Sequence, residues 1–299
     1  MINISAATYG IDTLEEINTN HCPGCYPELD VRLIRNGSKL LMLIGVDPEI
    51  KGLIVAFRGS DNAKNWFVDD FRIYPQKFDD IPACKGCRVH RGFYKAMQAI
   101  REDFGFNISD IVDDFLAIPK YKDYTIFFTG HSLGGALANL AAIYAEGNAD
   151  YKLPAQVYTF GQPRVGDKDY AKYYNSKIPH DFRVIHRKDI VPHKPPSMMF
   201  YVHTGYEIWY RDGMEAPYLA CKGDSNKCSN SLGYTSLSYR ISDHSSKHYL
   251  NLKADHELTT FLNAEHEYEI GEDLQKIEEA EPEDIAYLES GDWSDVTEL

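Results

Sequence analysis

The pentapeptide Gly130-His131-Ser132-Leu133-Gly134 constrains this chain more than any other stretch. It stands between Thr125–Thr129, a β-branched and aromatic run that reads as a strand, and Ala136–Ala145, where nearly every residue favours helix. A G-x-S-x-G placed between a strand and a helix reads as a nucleophile elbow. The serine must sit on a tight turn whose flanking positions approach closely, and glycine permits that approach because it has no Cβ. Such a turn lifts Ser132 Oγ above the sheet edge. It also aims the free N–H groups of the helix N-terminus at any negative charge that develops there.

The rest of the pattern agrees with an α/β chain. A leading helix is expected within residues 1–20, and a hairpin from Val31–Ile34 and Lys39–Val46 around Asn36-Gly37. Leu53–Phe57, Val157–Phe160 and Phe182–His186 are short apolar runs typical of buried strands, and Phe200–Tyr210 reads as one longer strand. Phe93–Leu116 has helical apolar spacing, irregular near Gly105. Alternating strands and helices predict a mostly parallel central sheet flanked by helices. One domain over residues 1–263 and an acidic C-terminal extension over 264–299 is the simplest division.

A serine hydroxyl needs a general base, and the base needs an orienting group. In a chain that opens with this elbow the expected order is Ser, then Asp or Glu, then His. Asp189 follows an apolar run and precedes Ile190-Val191-Pro192, so it is the expected acid, with Asp167 as runner-up. His244, in the polar stretch after Ser242-Asp243, is the expected base; His248 is the alternative and His256 a weaker one. His203 reads as a structural histidine and His131 as a packing one. The expected oxyanion donors are the N–H groups of Leu133 and of Ser60, the latter in Phe57-Arg58-Gly59-Ser60.

Charge excludes one class of partner. The chain carries 31 basic and 45 acidic side chains. Of these, 14 acidic residues and a single basic one (Lys276) fall in Ala264–Leu299, leaving a body close to neutral. Neither part favours nucleic acid. No run of about 18 apolar residues exists to span a bilayer, and no signal peptide is evident at the N-terminus. Six cysteines form three local pairs: Cys22 with Cys25, Cys84 with Cys87, and Cys221 with Cys228. Disulfides and a secretory or other oxidising compartment are the first reading, with an intracellular protein as the alternative. A Cys₄ zinc site from the two C-x-x-C pairs and a redox dithiol at Cys22–Cys25 are the alternatives.

The residues around the elbow, Thr129-Gly130-His131-Ser132-Leu133-Gly134-Gly135-Ala136, resemble the class 3 lipases, a fungal triacylglycerol lipase family. The resemblance extends through Phe57-Arg58-Gly59-Ser60, Val89-His90-Arg91-Gly92-Phe93, Phe160-Gly161-Gln162-Pro163-Arg164-Val165-Gly166, Asp189-Ile190-Val191-Pro192-His193, His203-Thr204-Gly205-Tyr206-Glu207-Ile208-Trp209 and Asp243-His244. It implies an α/β-hydrolase fold, a triad of Ser132, Asp189 and His244, and oxyanion donors at Ser60 and Leu133. It also implies a lid over about Asp61–Tyr74, and disulfides matching Cys84–Cys87 and Cys221–Cys228. The family's terminal motif has an aromatic residue three positions after the histidine; here Lys247 stands there and Tyr249 comes five after.

The expected activity is therefore hydrolysis of acylglycerol esters through an acyl-enzyme, with no cofactor and no metal. Trp66, Phe67, Val68 and Phe71 would give the lid an apolar face suited to a lipid–water interface. Phospholipase, feruloyl esterase or short-chain carboxylesterase activity is the alternative on the same fold, and a non-catalytic lipid-binding protein is the alternative of another class. The residues do not define the oligomeric state.

Overall fold

The structure is a computed structural model that describes residues 1–9, 29–36, 40–60, 74–104, 107–146, 155–233 and 239–249. The hairpin turn, the lid segment up to residue 73, His256 and the acidic extension lie outside these residues.

Helix α1 (Ile2–Ala7) precedes an antiparallel pair, β1 (Asp30–Asn36) and β2 (Leu41–Asp47), and β2 pairs antiparallel with β3 (Gly52–Phe57). Every residue of β2 and β3 is buried, as their mostly apolar runs require, Asp47 at the end of β2 included. From β3 the main sheet continues in parallel through β6 (Thr125–His131), β7 (Gln156–Phe160), β9 (His180–His186) and β11 (Tyr206–Tyr210). An antiparallel edge strand, β12 (Leu219–Lys222), closes it. The spatial order is β1-β2-β3-β6-β7-β9-β11-β12. A smaller antiparallel sheet holds β4 (Pro75–Lys77), β5 (Arg88–His90), β8 (Gly166–Asp167) and β10 (Tyr201–Val202).

The long periodic stretch after residue 91 folds as two helices, α2 (Arg91–Phe104) and α3 (Ile108–Ala117). Asn107 and Asp110 cap α3 reciprocally, which starts the second helix where the sequence becomes irregular. Helix α4 (Leu133–Glu146) is apolar almost all round and is correspondingly buried on nearly every side. It packs on β6 and β7, within one cluster that also takes in Phe57, Phe93, Met97, Val112 and Val157. Helix α5 (Lys168–Lys177) follows β8.

One expected element divides. Phe200–Tyr210 is two strands in two different sheets rather than one, and His203 lies between them, not within a strand. The break is at Gly205, whose φ is +59° and whose missing Cβ makes room for the Asp181 carbonyl oxygen, 2.3 Å from where that Cβ would stand. A buried polar chain fastens this point. Tyr170 O–H donates to Asn139 (2.7 Å), the Asn139 amide donates to Thr204 (2.9 Å), and Thr204 O–H donates to Asp181 (2.5 Å). It ties α4 and α5 to the sheet beside the Gly205 bend.

Two disulfides lie in the described residues, Cys84–Cys87 between β4 and β5, and Cys221–Cys228 from β12 to the following loop. The first removes two of the four thiolates that a Cys₄ zinc site would need. Cys22 and Cys25 lie outside the described residues.

Gly205→Ala places a side chain on a left-handed backbone position and against a buried carbonyl. Urea unfolding should show a loss of about 2–3 kcal/mol. An unchanged unfolding midpoint would contradict the steric role of this bend.

Candidate active site

The site gathers at the C-terminal ends of the parallel strands, the edge at which open α/β sheets hold their ligands. Ser132 follows β6 directly and has φ +58°, a left-handed backbone that a non-glycine residue seldom adopts. The two glycines of the elbow make this turn possible by closeness alone. A Cβ on Gly130 would stand 2.3 Å from the Gly134 carbonyl group, and one on Gly134 would stand 2.2 Å from the Phe57 carbonyl oxygen. The second approach presses the first turn of α4 onto the end of β3, from which Arg58, Gly59 and Ser60 continue. The two expected donor segments, at Leu133 and Ser60, are thereby brought to one edge.

The Ser132 N–H donates to the Phe160 carbonyl (2.9 Å), which sets the elbow beside the end of β7. The next residue, Gly161, has φ +58°; a Cβ there would lie 2.9 Å from Asp189 Oδ2 and 2.9 Å from His244 Nδ1. Ser132, Asp189 and His244 are thus gathered around the Phe160–Gly161 backbone. All three are buried, with exposures of 1%, 0% and 4%. Ser132 Oγ has no hydrogen-bond partner among the described residues.

Asp189 is reached from β9 through the Arg187–Lys188 turn and is pinned by three donors. The Val191 N–H donates to Oδ1 (2.8 Å). His244 Nδ1 (2.8 Å) and Tyr249 O–H (2.5 Å) donate to Oδ2. A neutral imidazole that donates through Nδ1 carries its lone pair on Nε2, the arrangement a general base requires. Tyr249 also accepts the His186 N–H (3.2 Å). It was not expected as a site residue. Its carrier is the short helix α6 (Ser246–Tyr249), which folds the chain back over Asp189, so an aromatic five positions after the histidine reaches the carboxylate.

His131 does more than pack. Its ring lies against that of His244, with centroids 4.6 Å apart and planes at 28°. Its Nε2–H donates to the His244 carbonyl (2.7 Å), and Tyr9 O–H donates to its Nδ1 (2.8 Å). Burial first, then the neighbouring His244, lowers its pKa to about 3, so the ring stays neutral and braces His244 without competing for a proton.

The alternative assignments fall elsewhere. Asp167 caps α5, accepting the Tyr170 N–H (2.9 Å). His248 is exposed, and its ring stacks on that of His186 (5.3 Å). His203 donates through Nε2 to the Pro192 carbonyl (2.7 Å) and is structural. Trp66, Phe67, Val68 and Phe71 lie outside the described residues.

The class 3 lipase family model matches residues 54–199. The chain is 34% identical to a lipase of Rhizomucor miehei, over 71% of this chain and 58% of that protein. It is 35% identical to a secreted mono- and diacylglycerol lipase of Fusarium solani, over 57% and 47%. Over these regions it is similar to the class 3 lipases. The fold is that of the family's solved structures. The crystal structure of a lipase from Rhizopus microsporus var. chinensis superposes with a TM-score of 0.68, at 28% identity, over 81% of this chain and 82% of the other. The triacylglyceride lipase of Rhizomucor miehei also gives 0.68, at 27% identity, over 81% and 89%. The chain spans about half the length of the curated relatives it matches. Within the class 3 lipase frame, the α/β-hydrolase fold is this chain's architecture, and no described helix is long and apolar enough to cross a membrane.

Burial sets how the fold responds to pH. It lowers the pKa of His90 to about 4, of His131 and His193 to about 3, and of His203 well below the ordinary 6.5. The unfolded chain protonates these rings near 6.5 and the folded chain does not. The unfolded state therefore binds more protons, and stability falls as pH drops from about 6.5 toward the folded-state values. Each ring contributes on the order of 1.4 kcal/mol per pH unit in that window. Asp181, which burial pushes up to about 6, offsets one of them in the acid part of it. Urea midpoints should be clearly lower at pH 5 than at pH 7; equal midpoints would contradict buried neutral histidines.

Proposed function

We propose that the protein is a serine ester hydrolase acting on acylglycerol esters. The observation that carries this reading is the gathering of Ser132, Asp189 and His244 around one backbone step, with His244 donating through Nδ1 to a carboxylate fixed by Val191 and Tyr249. Ser132 Oγ attacks the ester carbonyl and gives its proton to His244 Nε2. Asp189 keeps the ring in the correct tautomer and stabilises its charged form. The Leu133 and Ser60 N–H groups hold the tetrahedral oxyanion. The alcohol leaves with the proton from His244, and water then releases the acid from Ser132 by the same steps.

The lipid substrate class is supported by the relatives, which are named as lipases, one of them for mono- and diacylglycerols and one for triacylglycerides. The near-complete burial of Ser132 supports a site that opens before substrate enters, as the expected lid with Trp66, Phe67, Val68 and Phe71 would have it do. The two disulfides support an oxidising compartment. In this proposal residues 1–263 form the catalytic body and 264–299 an acidic extension.

Ser132→Ala should lower turnover of a p-nitrophenyl ester by about 10⁴ or more while leaving the circular dichroism unchanged. Retained turnover would remove the serine from the mechanism. His244→Ala should match that loss and His248→Ala should not; the opposite result would transfer the base to His248. Tyr249→Phe should reduce kcat by about tenfold with little change in KM, since it removes one hydrogen bond to a charged group. Emulsified tributyrin, phosphatidylcholine and methyl ferulate, compared at matched ester concentration, should rank in that order. A preference for either of the last two would replace the acylglycerol assignment.

A further inference from the structure

A cavity of about 440 Å³ is lined in part by Asp243, the chain neighbour of His244. Its lining includes His186, Asp243 and His248, together with Asp212 and Glu215. The first three each offer one ligand atom, and these atoms all lie within 4.8 Å of one another. Two are buried and one is exposed, so the cluster is anchored on the protein side and open on the solvent side.

The anchoring is specific. The His186 Nδ1–H donates to the Asp243 carbonyl (3.1 Å), which leaves the ring's lone pair on Nε2. A second nitrogen tied to a backbone carbonyl is the usual way a protein fixes the tautomer and direction of a histidine ligand. The Asp243 carboxylate is itself oriented, because Oδ2 accepts the Lys188 N–H (3.2 Å). A tetrahedral zinc ion with ligand bonds of about 2.0–2.1 Å needs its ligand atoms roughly 3.3 Å apart. His186 and Asp243 are each held by a hydrogen bond, and the exposed His248 ring, which stacks on His186 with centroids 5.3 Å apart, has to turn so that its nitrogen shares an ion with them. Two imidazoles and one carboxylate are a nitrogen-rich set, which suits Zn²⁺ over Ca²⁺ or Mg²⁺.

We propose that His186, Asp243 and His248 form a binding site for a borderline divalent metal ion, with Zn²⁺ the best match. The ion is not part of the hydrolysis. It joins two segments that the fold otherwise holds by hydrogen bonds, since His186 ends the strand that leads to Asp189 and Asp243 directly precedes His244. Neither the family nor the expected reaction calls for it, and its test does not depend on the hydrolytic reading.

The test is calorimetric titration of the full chain with Zn²⁺ after chelator treatment, with thermal unfolding in parallel. Zinc should bind with one tight equivalent per chain and raise the unfolding midpoint. His248→Ala, at an exposed position that leaves the fold intact, should weaken that equivalent by about tenfold or more and abolish the zinc-dependent shift. Asp243→Asn should do the same. His180→Ala, at an exposed histidine elsewhere on the surface, should change neither. Failure of the unaltered chain to bind, or binding undiminished in His248→Ala, overturns the proposal. So does Ca²⁺ binding as tightly as Zn²⁺.

Discussion

The Asp189 carboxylate is the point on which the rest of the site depends. It is fully buried, and a buried carboxylate is tolerated only where its oxygens are well supplied with donors. Three donors come from three places: the Val191 N–H two residues on, the His244 ring 55 residues later and the Tyr249 hydroxyl 60 residues later. One side chain thus fixes the loop after β9, the turn that presents the histidine and the helix that ends the described chain. Gly161, with no Cβ, lets all of this lie against the end of β7.

The sheet supplies the rigidity this arrangement needs. Ser132, Gly161 and Asp189 each follow a strand of the parallel core, so their spacing is set by backbone ladders rather than by mobile loops. Helix α4 is held on nearly every side by apolar contacts, which keeps its N-terminus aimed at one place. The cost of the left-handed backbone at Ser132 is of order 1–3 kcal/mol. It persists because the strand before it and the buried helix after it leave the turn no alternative. His131 adds a neutral brace against His244, through a contact to its ring and a hydrogen bond to its carbonyl.

Much of this was legible beforehand, for physical reasons that differ by residue. The elbow could be read because its steric demand is local: small residues at fixed offsets between a strand and a helix. Position after a strand end favours Asp189 over Asp167 as the acid, and Asp167 serves as a helix cap. Tyr249 could not be reached in this way. Its role depends on how a short helix turns back over the sheet, and spacing from the histidine gave the wrong offset. The contact of Tyr9 with His131 spans 122 residues and starts from a segment with weak periodicity, so no local pattern announced it. The split of Phe200–Tyr210 was hidden because both halves look like strand; only the crowding of Gly205 by the Asp181 carbonyl separates them.

The proposed hydrolysis depends on Asp189 holding His244 in the tautomer whose Nε2 can take a proton. Asp189→Asn keeps the shape and replaces the acceptor, so it tests that claim most directly. Turnover of a p-nitrophenyl ester near neutral pH should fall by about 10⁴ while the fold is retained. The ¹⁵N signals of His244 should show the Nδ1-protonated tautomer in the unaltered protein and its loss in the variant. Undiminished turnover, or an unaltered protein whose neutral His244 carries its proton on Nε2, would contradict it.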